Sequence, residues 1–394
     1  MVKKGVVNGT GTVKRECFEE ATDFLDFVFS SAYGPTHFKQ MLPLCYQPTD
    51  EHMSHNFAVR ENGRLRAIVG LFPMEIQAGE TLLKLGGIGG VSSHPNDRGK
   101  GWMKLLMGRC LEEMKQTGTD LSFLTGLRQR YRYFGYEKTG MLLKYTISKT
   151  NLRHCAKEHT PEQTVRFELL EASDSERLQQ VKAFYESQPC FCVRPLSTFY
   201  QYLLSMYTKP WVALYPDGKM AGYLVASPEN DRITELFAED ETAFTAMVEQ
   251  WVTTHGAEEV QLFLAPWQKD FARLAGEIAE DCSLLNNGNW QVFDWERVTG
   301  ALLKLKQAQN GLMDGSLTVE IGGYGRLHIS VSGETVVCEK TSAKADFALD
   351  PYTAMRMFFG HMPPVFIQQV PAPLQALIQS WFPLPLCLLI QNYV

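Results

Sequence analysis

The chain has no hydrophobic run long enough to span a membrane. The most apolar stretch near its end, 383–390, is short and holds Pro383 and Pro385. Its start, Met1-Val2-Lys3-Lys4, is charged, but residues 5–12 do not form the apolar segment of a secretory signal. Cationic excess is also missing: 38 Lys and Arg stand against 44 Asp and Glu, for a net charge of −6. That excludes the clustered basic surface a nucleic-acid partner would need, and it is compatible with a cationic substrate. The nine cysteines are scattered without a CxxC pair, which excludes a zinc knuckle or dithiol redox site and predicts a reduced, cytoplasmic protein with no membrane partner. Cys190-x-Cys192 has a spacing that suits neither use. His52-x-x-His55 lacks carboxylates or thiols in a pattern that would complete a metal site, so no metal is expected. GxxxxGK[ST] and GxGxxG are both absent, which excludes a P-loop and a dinucleotide fold.

What is present is a globular composition, 45% hydrophobic and 21% charged over 394 residues. That length predicts two or three domains. The most informative stretch is 91–107. A strand-like apolar run, 85–93, ends at His94-Pro95. A short cationic loop with two glycines follows, Arg98-Gly99-Lys100-Gly101. A helical pattern starts at once, with Met103, Leu106, Met107, Cys110 and Leu111 at three- and four-residue spacing. A strand feeding a basic Gly-rich turn that opens a helix is a site for a phosphorylated ligand. The first helical N–H groups lack intrahelical partners, and the helix dipole is positive at that end.

Arg98-x-x-Gly101-x-Met103 resembles the signature by which GCN5-related N-acetyltransferases (GNAT superfamily) hold the pyrophosphate of acetyl-CoA. Met103 stands where the family has a small residue. Pro95, Arg98, Gly101, Lys104, Leu106 and Met107, with the aromatic run Tyr131-Arg132-Tyr133-Phe134-Gly135-Tyr136, resemble the enhanced-intracellular-survival (Eis-type) branch. The resemblance is specific over 85–136 and general elsewhere. It implies an α/β (α+β) chain of tandem GNAT folds, each a mixed sheet flanked by helices, plus a sterol-carrier-like α+β module at the C-terminus.

The element pattern agrees with that order. A helical stripe covers 18–29, two strands flank the turn Glu61-Asn62-Gly63, and strands follow at 82–93, 121–125 and 141–147 around a helix at 101–116. Such a meander excludes an all-parallel sheet. The polar stretch 151–164 reads as a linker, and the order then recurs. Where the second copy would carry its phosphate loop stands Ala238-Glu239-Asp240-Glu241, whose carboxylates would repel a pyrophosphate. The domains expected are 1–150, a catalytic GNAT domain; 151–290, a degenerate second copy; and 291–394, the sterol-carrier-like module. An apolar interior there serves as core or holds a lipid.

The resemblance implies acetyl transfer from acetyl-CoA, as cosubstrate, to a small cationic amine of the aminoglycoside or polyamine kind. It assigns Val91, Ser92 and Ser93 to the acetyl group, Arg98, Gly99, Lys100, Gly101, Trp102, Met103 and Lys104 to the phosphates, and Gly126 and Leu127 to the cofactor after the next strand. Tyr131 matches the general acid; a phenol with pKa near ~10 suits a thiolate leaving group. Val394 matches the family's terminal carboxylate, which enters the acetyl-transfer site. A free α-carboxylate has a pKa near ~3.5, so it deprotonates an alkylammonium only if desolvated or through a water; holding the ammonium electrostatically needs neither. His94 reads as an exposed histidine, and Asp23 and Asp26 as a solvated helix face. Family assemblies are rings or hexamers, so a homo-oligomer is expected, with Phe199, Tyr200, Tyr202, Tyr207 and Trp211 as candidate interface aromatics. The rival reading is an apolar-ligand carrier with a regulatory acyl-CoA site.

Overall fold

The computed structural model describes residues 9–155 and 163–394; the charged start and half of the expected linker lie outside them. Among the described residues the strands form three mixed or antiparallel sheets flanked by helices. In the first sheet, β1 (Gly9–Thr12), β2 (Asn56–Glu61), β3 (Arg64–Ala78), β4 (Thr81–Ser93) and β5 (Leu121–Leu124) lie side by side in chain order. The β2–β3 hairpin turns at Asn62 and Gly63, both at positive φ (54° and 77°), as a two-residue turn matched to strand twist requires. Only the β4–β5 pair is parallel, and α4 (Trp102–Gln116) makes the crossover between them. Helix α1 (Phe18–Tyr33) buries the stripe Phe18, Ala21, Phe24, Leu25 and Val28, and α2 (Phe38–Met41) follows it. A further short helix, α3 (Asp50–Ser54), precedes β2.

The second sheet repeats the plan. Its parallel pair is Arg232–Ala238 with Glu259–Leu264, crossed by the helix Glu241–Thr254. Strands are exchanged across the boundaries expected at 150 and 290. Leu142–Ser148 pairs within the second sheet, and Asn289–Val292 returns to the first, between β5 and the short strand Glu137–Lys138. Cys190–Cys192 also pairs with β3, so both cysteines are structural and buried. The region read as a linker begins as a helix, Lys149–Cys155.

The C-terminal part places a four-stranded sheet against the helix Trp295–Asn310. The sheet's inner residues Leu317, Val319, Ile321, Leu327, Ile329 and Val331 are buried. They join one continuous core with Phe123, Trp290, Leu302, Phe358 and Trp381. Side chains fill this interior, which favours plain core over a lipid chamber. The aromatics expected at an oligomer interface are in large part core as well: Phe199 and Tyr202 are buried, Tyr200 and Trp211 half-buried, and Tyr207 alone is exposed. An amphipathic aromatic helix reads the same whether its face meets a partner or its own sheet. No described helix is long and apolar enough to cross a membrane.

Candidate active site

The site opens where β4 and β5 part. Their pairing ends at Ile88–Leu124, while β4 runs on to Ser93. Between the pairs Gly70–Gly89 and Ile68–Ser92, β4 supplies two residues, Gly90 and Val91, opposite the single Val69. This bulge turns the main chain of β4 toward the gap. Gly90 takes φ +57°, and a Cβ there would strike the Tyr46 hydroxyl. The gap widens into a cavity of about 1260 Å³ lined from Ile88 to Ser93, from Thr125 to Leu127, and by the loop ahead of α4.

That loop is built for an anion. Gly99 and Gly101 sit at φ +86° and +82°, conformations that glycine adopts without strain. A Cβ at either would meet nothing within 4 Å, so the space beside them is open. Gly101 caps α4, and the first intrahelical bond runs from the Leu105 N–H to the Gly101 carbonyl at 3.0 Å. The preceding N–H groups therefore face the cavity mouth with the positive end of the helix dipole. Arg98 and Lys104 line this mouth, and the Lys104 ammonium lies 4.9 Å from the Tyr133 ring centroid. The buried Ser92 hydroxyl and Trp102 indole N–H have no hydrogen-bond partner among the described residues. Both fit a polar ligand entering the gap.

Lys100 behaves differently. Its ammonium bonds Asp97 at 2.8 Å and Glu61 at 3.2 Å, and it does not line the cavity. Asp97, also paired with Arg66 at 3.3 Å, braces the loop from behind. Its carboxyl is held below the usual range by the Lys100 hydrogen bond. All the other residues assigned from the sequence, from Val91 to Lys104 and including Gly126, Leu127, Tyr131 and Val394, line the one cavity. Met103 also packs into the apolar cluster under α4.

Tyr131 is on α5 (Arg128–Arg132) and is 5% exposed. Burial raises its pKa, partly offset by Arg130, so the phenol stays protonated as a general acid must. Gly126, at φ +137°, would put a Cβ 2.6 Å from the Tyr131 ring; its part is to let that ring approach. Of the neighbouring tyrosines, Tyr136 is fully buried and spends its hydroxyl on Ser122 at 2.7 Å, while Tyr133 is exposed at the mouth.

Val394 arrives from the far side of the fold. The tail is buried from Leu386 through Leu389, and Asn287 bonds both the N–H and the carbonyl of Leu388, at 2.6 and 2.9 Å. Beyond it, Gln391 donates to Thr234 at 2.7 Å, and Asn392 accepts from Arg194 at 2.8 Å. The Tyr393 ring packs on Phe123, 5.0 Å between centroids. Val394 then lies on β4: a Cβ at Gly87 would fall 2.7 Å from its Cγ2, and one at Gly89 2.6 Å from its carbonyl oxygen. The glycine-rich run Gly86-Gly87-Ile88-Gly89-Gly90 was the available signal for this close approach.

His94 accepts from the Asn96 N–H at 3.2 Å and lies against Phe24 and Phe27, outside the cavity lining. His52 bonds Thr49. Among the described residues no three His, Cys, Asp or Glu side chains converge on a metal position. In the second copy Asp240 accepts the Ala243 N–H at 2.8 Å, so a carboxylate occupies the helix N-terminus that α4 leaves open.

An open helix N-terminus beside two parted parallel strands suits a phosphorylated ligand. Residues 11–139 match the family described as acetyltransferase (GNAT) domain. Three solved structures are similar over 98% of this chain and 100% of their own. One is a conserved protein of unknown function from Enterococcus faecalis V583, a probable N-acyltransferase, with 18% identity and a TM-score of 0.68. The others are a GCN5-related N-acetyltransferase from Kribbella flavida, with 18% identity and a TM-score of 0.67, and Eis1 from Mycobacterium abscessus, with 14% and 0.67. No curated protein matches the sequence. The solved structures share the fold across the chain. The domain match over 11–139 supports an N-acetyltransferase.

The phosphate loop makes a direct prediction. Gly101→Asp places a carboxylate in the anion cradle and a side chain on a left-handed residue. Calorimetry with acetyl-CoA is expected to show a loss of roughly 2–3 kcal/mol, the scale of a charge-assisted hydrogen bond. Unchanged affinity in a folded variant would remove the loop from the cofactor site.

Proposed function

We propose that this protein moves the acetyl group of acetyl-CoA directly onto a small amine, without an acyl-enzyme stage. The observation that carries the reading is convergence: the loop at the open end of α4, the buried Tyr131 phenol and Val394 all line one cavity. Acetyl-CoA supplies the thioester, an acetyl carbon already activated toward an amine. The protein residues contribute placement and proton handling. The loop 98–104 holds the phosphates, and the splayed main chain of 89–93 orients the acetyl oxygen. The Val394 carboxylate holds the acceptor ammonium at β4 and takes its proton, directly or through a water. Tyr131 delivers a proton to the departing sulfur and is restored by the second proton that the nitrogen sheds after attack. The new N–C bond replaces the C–S bond, and CoA leaves as the thiol. Most of the rate enhancement then comes from holding two reactants in line.

Tyr131→Phe keeps the ring against Gly126 and removes only the proton donor. In a thiol-release assay kcat is expected to fall about 10²-fold, with acetyl-CoA affinity nearly unchanged. Because burial raises the Tyr131 pKa, the alkaline limb of the wild-type profile should lie above the ordinary phenol value near ~10. If Tyr133→Phe is the damaging change instead, the acid is Tyr133.

A further inference from the structure

The cavity continues past Tyr131 and Val394 into a second arm between α1, α2 and the second half of the chain. Its walls there are Val28, Phe29, Phe38, Met41, Leu42 and Met206. Tyr33 and Thr36 add hydroxyls but no charge, and the Thr36 hydroxyl already donates to the Gly34 carbonyl at 3.0 Å.

Among the described residues no carboxylate side chain lines this arm. Among the described residues the only acidic side chain lining the cavity is Asp97, at the opposite end, tied to Arg66 and Lys100. The acids on α1 are turned to other work or away. Glu19 pairs with Lys39 and Glu20 with Arg60. Asp23 is exposed and lies outside the lining. Asp26 accepts the Phe38 N–H at 2.7 Å and faces His37 at 3.6 Å, which pins α2 against α1.

The apolar wall is held in place from the second half. Met206 and Tyr207 both adopt positive φ, 62° and 64°, a costly conformation for side chains of that size. It aims Met206 into the cavity and lets the Tyr207 hydroxyl accept the His37 N–H at 2.8 Å, at the head of α2.

We infer that the acceptor is a monoamine on an apolar, ring-bearing body, an arylalkylamine in chemical class, with its ring in the arm formed by α1, α2 and Met206. The inference rests on the transferase reading above for the position of the amine. A single carboxylate, that of Val394, matches a single ammonium. A polyamine or aminoglycoside would bring further ammonium groups against apolar walls, where an unpaired charge is strongly disfavoured. An aromatic ring instead buries its surface among Phe29, Phe38 and the two flexible methionines, whose thioethers adapt to ring edges.

The test compares phenethylamine, spermidine and kanamycin, by calorimetric binding to the CoA-loaded protein and by thiol release with acetyl-CoA. Phenethylamine is expected to bind at least ten-fold more tightly than either polycation, and to show at least a ten-fold higher kcat/KM. Met206→Glu, and Met41→Glu as a second variant should the strained turn not fold, each add a carboxylate to the arm. Each is expected to weaken phenethylamine at least ten-fold and to strengthen spermidine. Spermidine or kanamycin binding the wild-type protein as tightly as phenethylamine would overturn the assignment, as would phenethylamine failing to bind. Phenethylamine binding without acetylation would support the assignment of the arm and overturn the transferase reading instead.

Discussion

Replacing Gly89 by alanine is expected to cut kcat about 10²-fold while acetyl-CoA still binds. The backbone at Gly89 is not in the left-handed region, so alanine adds no conformational strain there. What it adds is one methyl group on the face of β4 where Val394 lies, with the Val394 oxygen only 2.6 Å away and the Phe72 ring at 3.3 Å. No real Cβ tolerates the first distance. The strand is anchored by its ladder with β3 and by the parallel pair with β5, so the tail must yield. Moving Val394 displaces the carboxylate proposed above to hold the acceptor ammonium. Residues appended after Val394 should have the same effect, since the added chain has to leave through the cavity. Full kcat in Gly89→Ala, or in a protein with such an extension, would end the role proposed for Val394.

Arg194→Met is expected to cost roughly 3–5 kcal/mol of folding stability, because it leaves a buried carboxylate uncompensated. Arg194 is 1% exposed. It grips Glu235 through two bonds of 3.1 and 2.7 Å, donates to Asn392 at 2.8 Å, and lies 3.9 Å above the Tyr185 ring centroid. Tyr223 donates to the same Glu235 at 2.7 Å. Replacing both charges, as Arg194→Met with Glu235→Leu, should recover most of the lost stability, since paired charges replaced together leave nothing unmatched. Activity should not recover with it. Asn392 stands two residues before Val394, and its partner is gone in both variants. Thermal unfolding separates the two effects from the rate measurement. A double variant with restored stability and full kcat would show that Arg194 serves the fold alone.

The residues around the cavity differ widely in legibility. The loop 98–104 and the helix after it could be read because their physics is local: a glycine conformation, a free helix end and two cations lie within a single turn. Tyr131 could be picked from its aromatic run only through the resemblance, since Tyr131, Tyr133 and Tyr136 look alike in sequence. Burial separates them: Tyr136 is spent on Ser122 and Tyr133 faces solvent, which leaves Tyr131 inside the cavity. Lys100 is the converse case. Its position suggests a phosphate ligand, yet Glu61, at the tip of a hairpin 39 residues earlier, takes its charge.

The sequence by itself determined the longer helices and hairpins, their recurring order, the open helix end in the first copy and the acidic one in the second, because each is signalled by neighbours within a few residues; it did not give short elements such as Lys149–Cys155 and Cys190–Cys192. Tertiary structure alone decided the exchange of Leu142–Ser148 and Asn289–Val292 between sheets, the seating of Val394 on Gly87 and Gly89, and the apolar lining of the cavity beside α1 and α2. These depend on contacts across hundreds of residues, where a strand's period and a glycine's freedom do not say which partner arrives. Asp26 reads as part of a solvated helix face until α2 folds against α1 and takes its carboxylate for a backbone N–H.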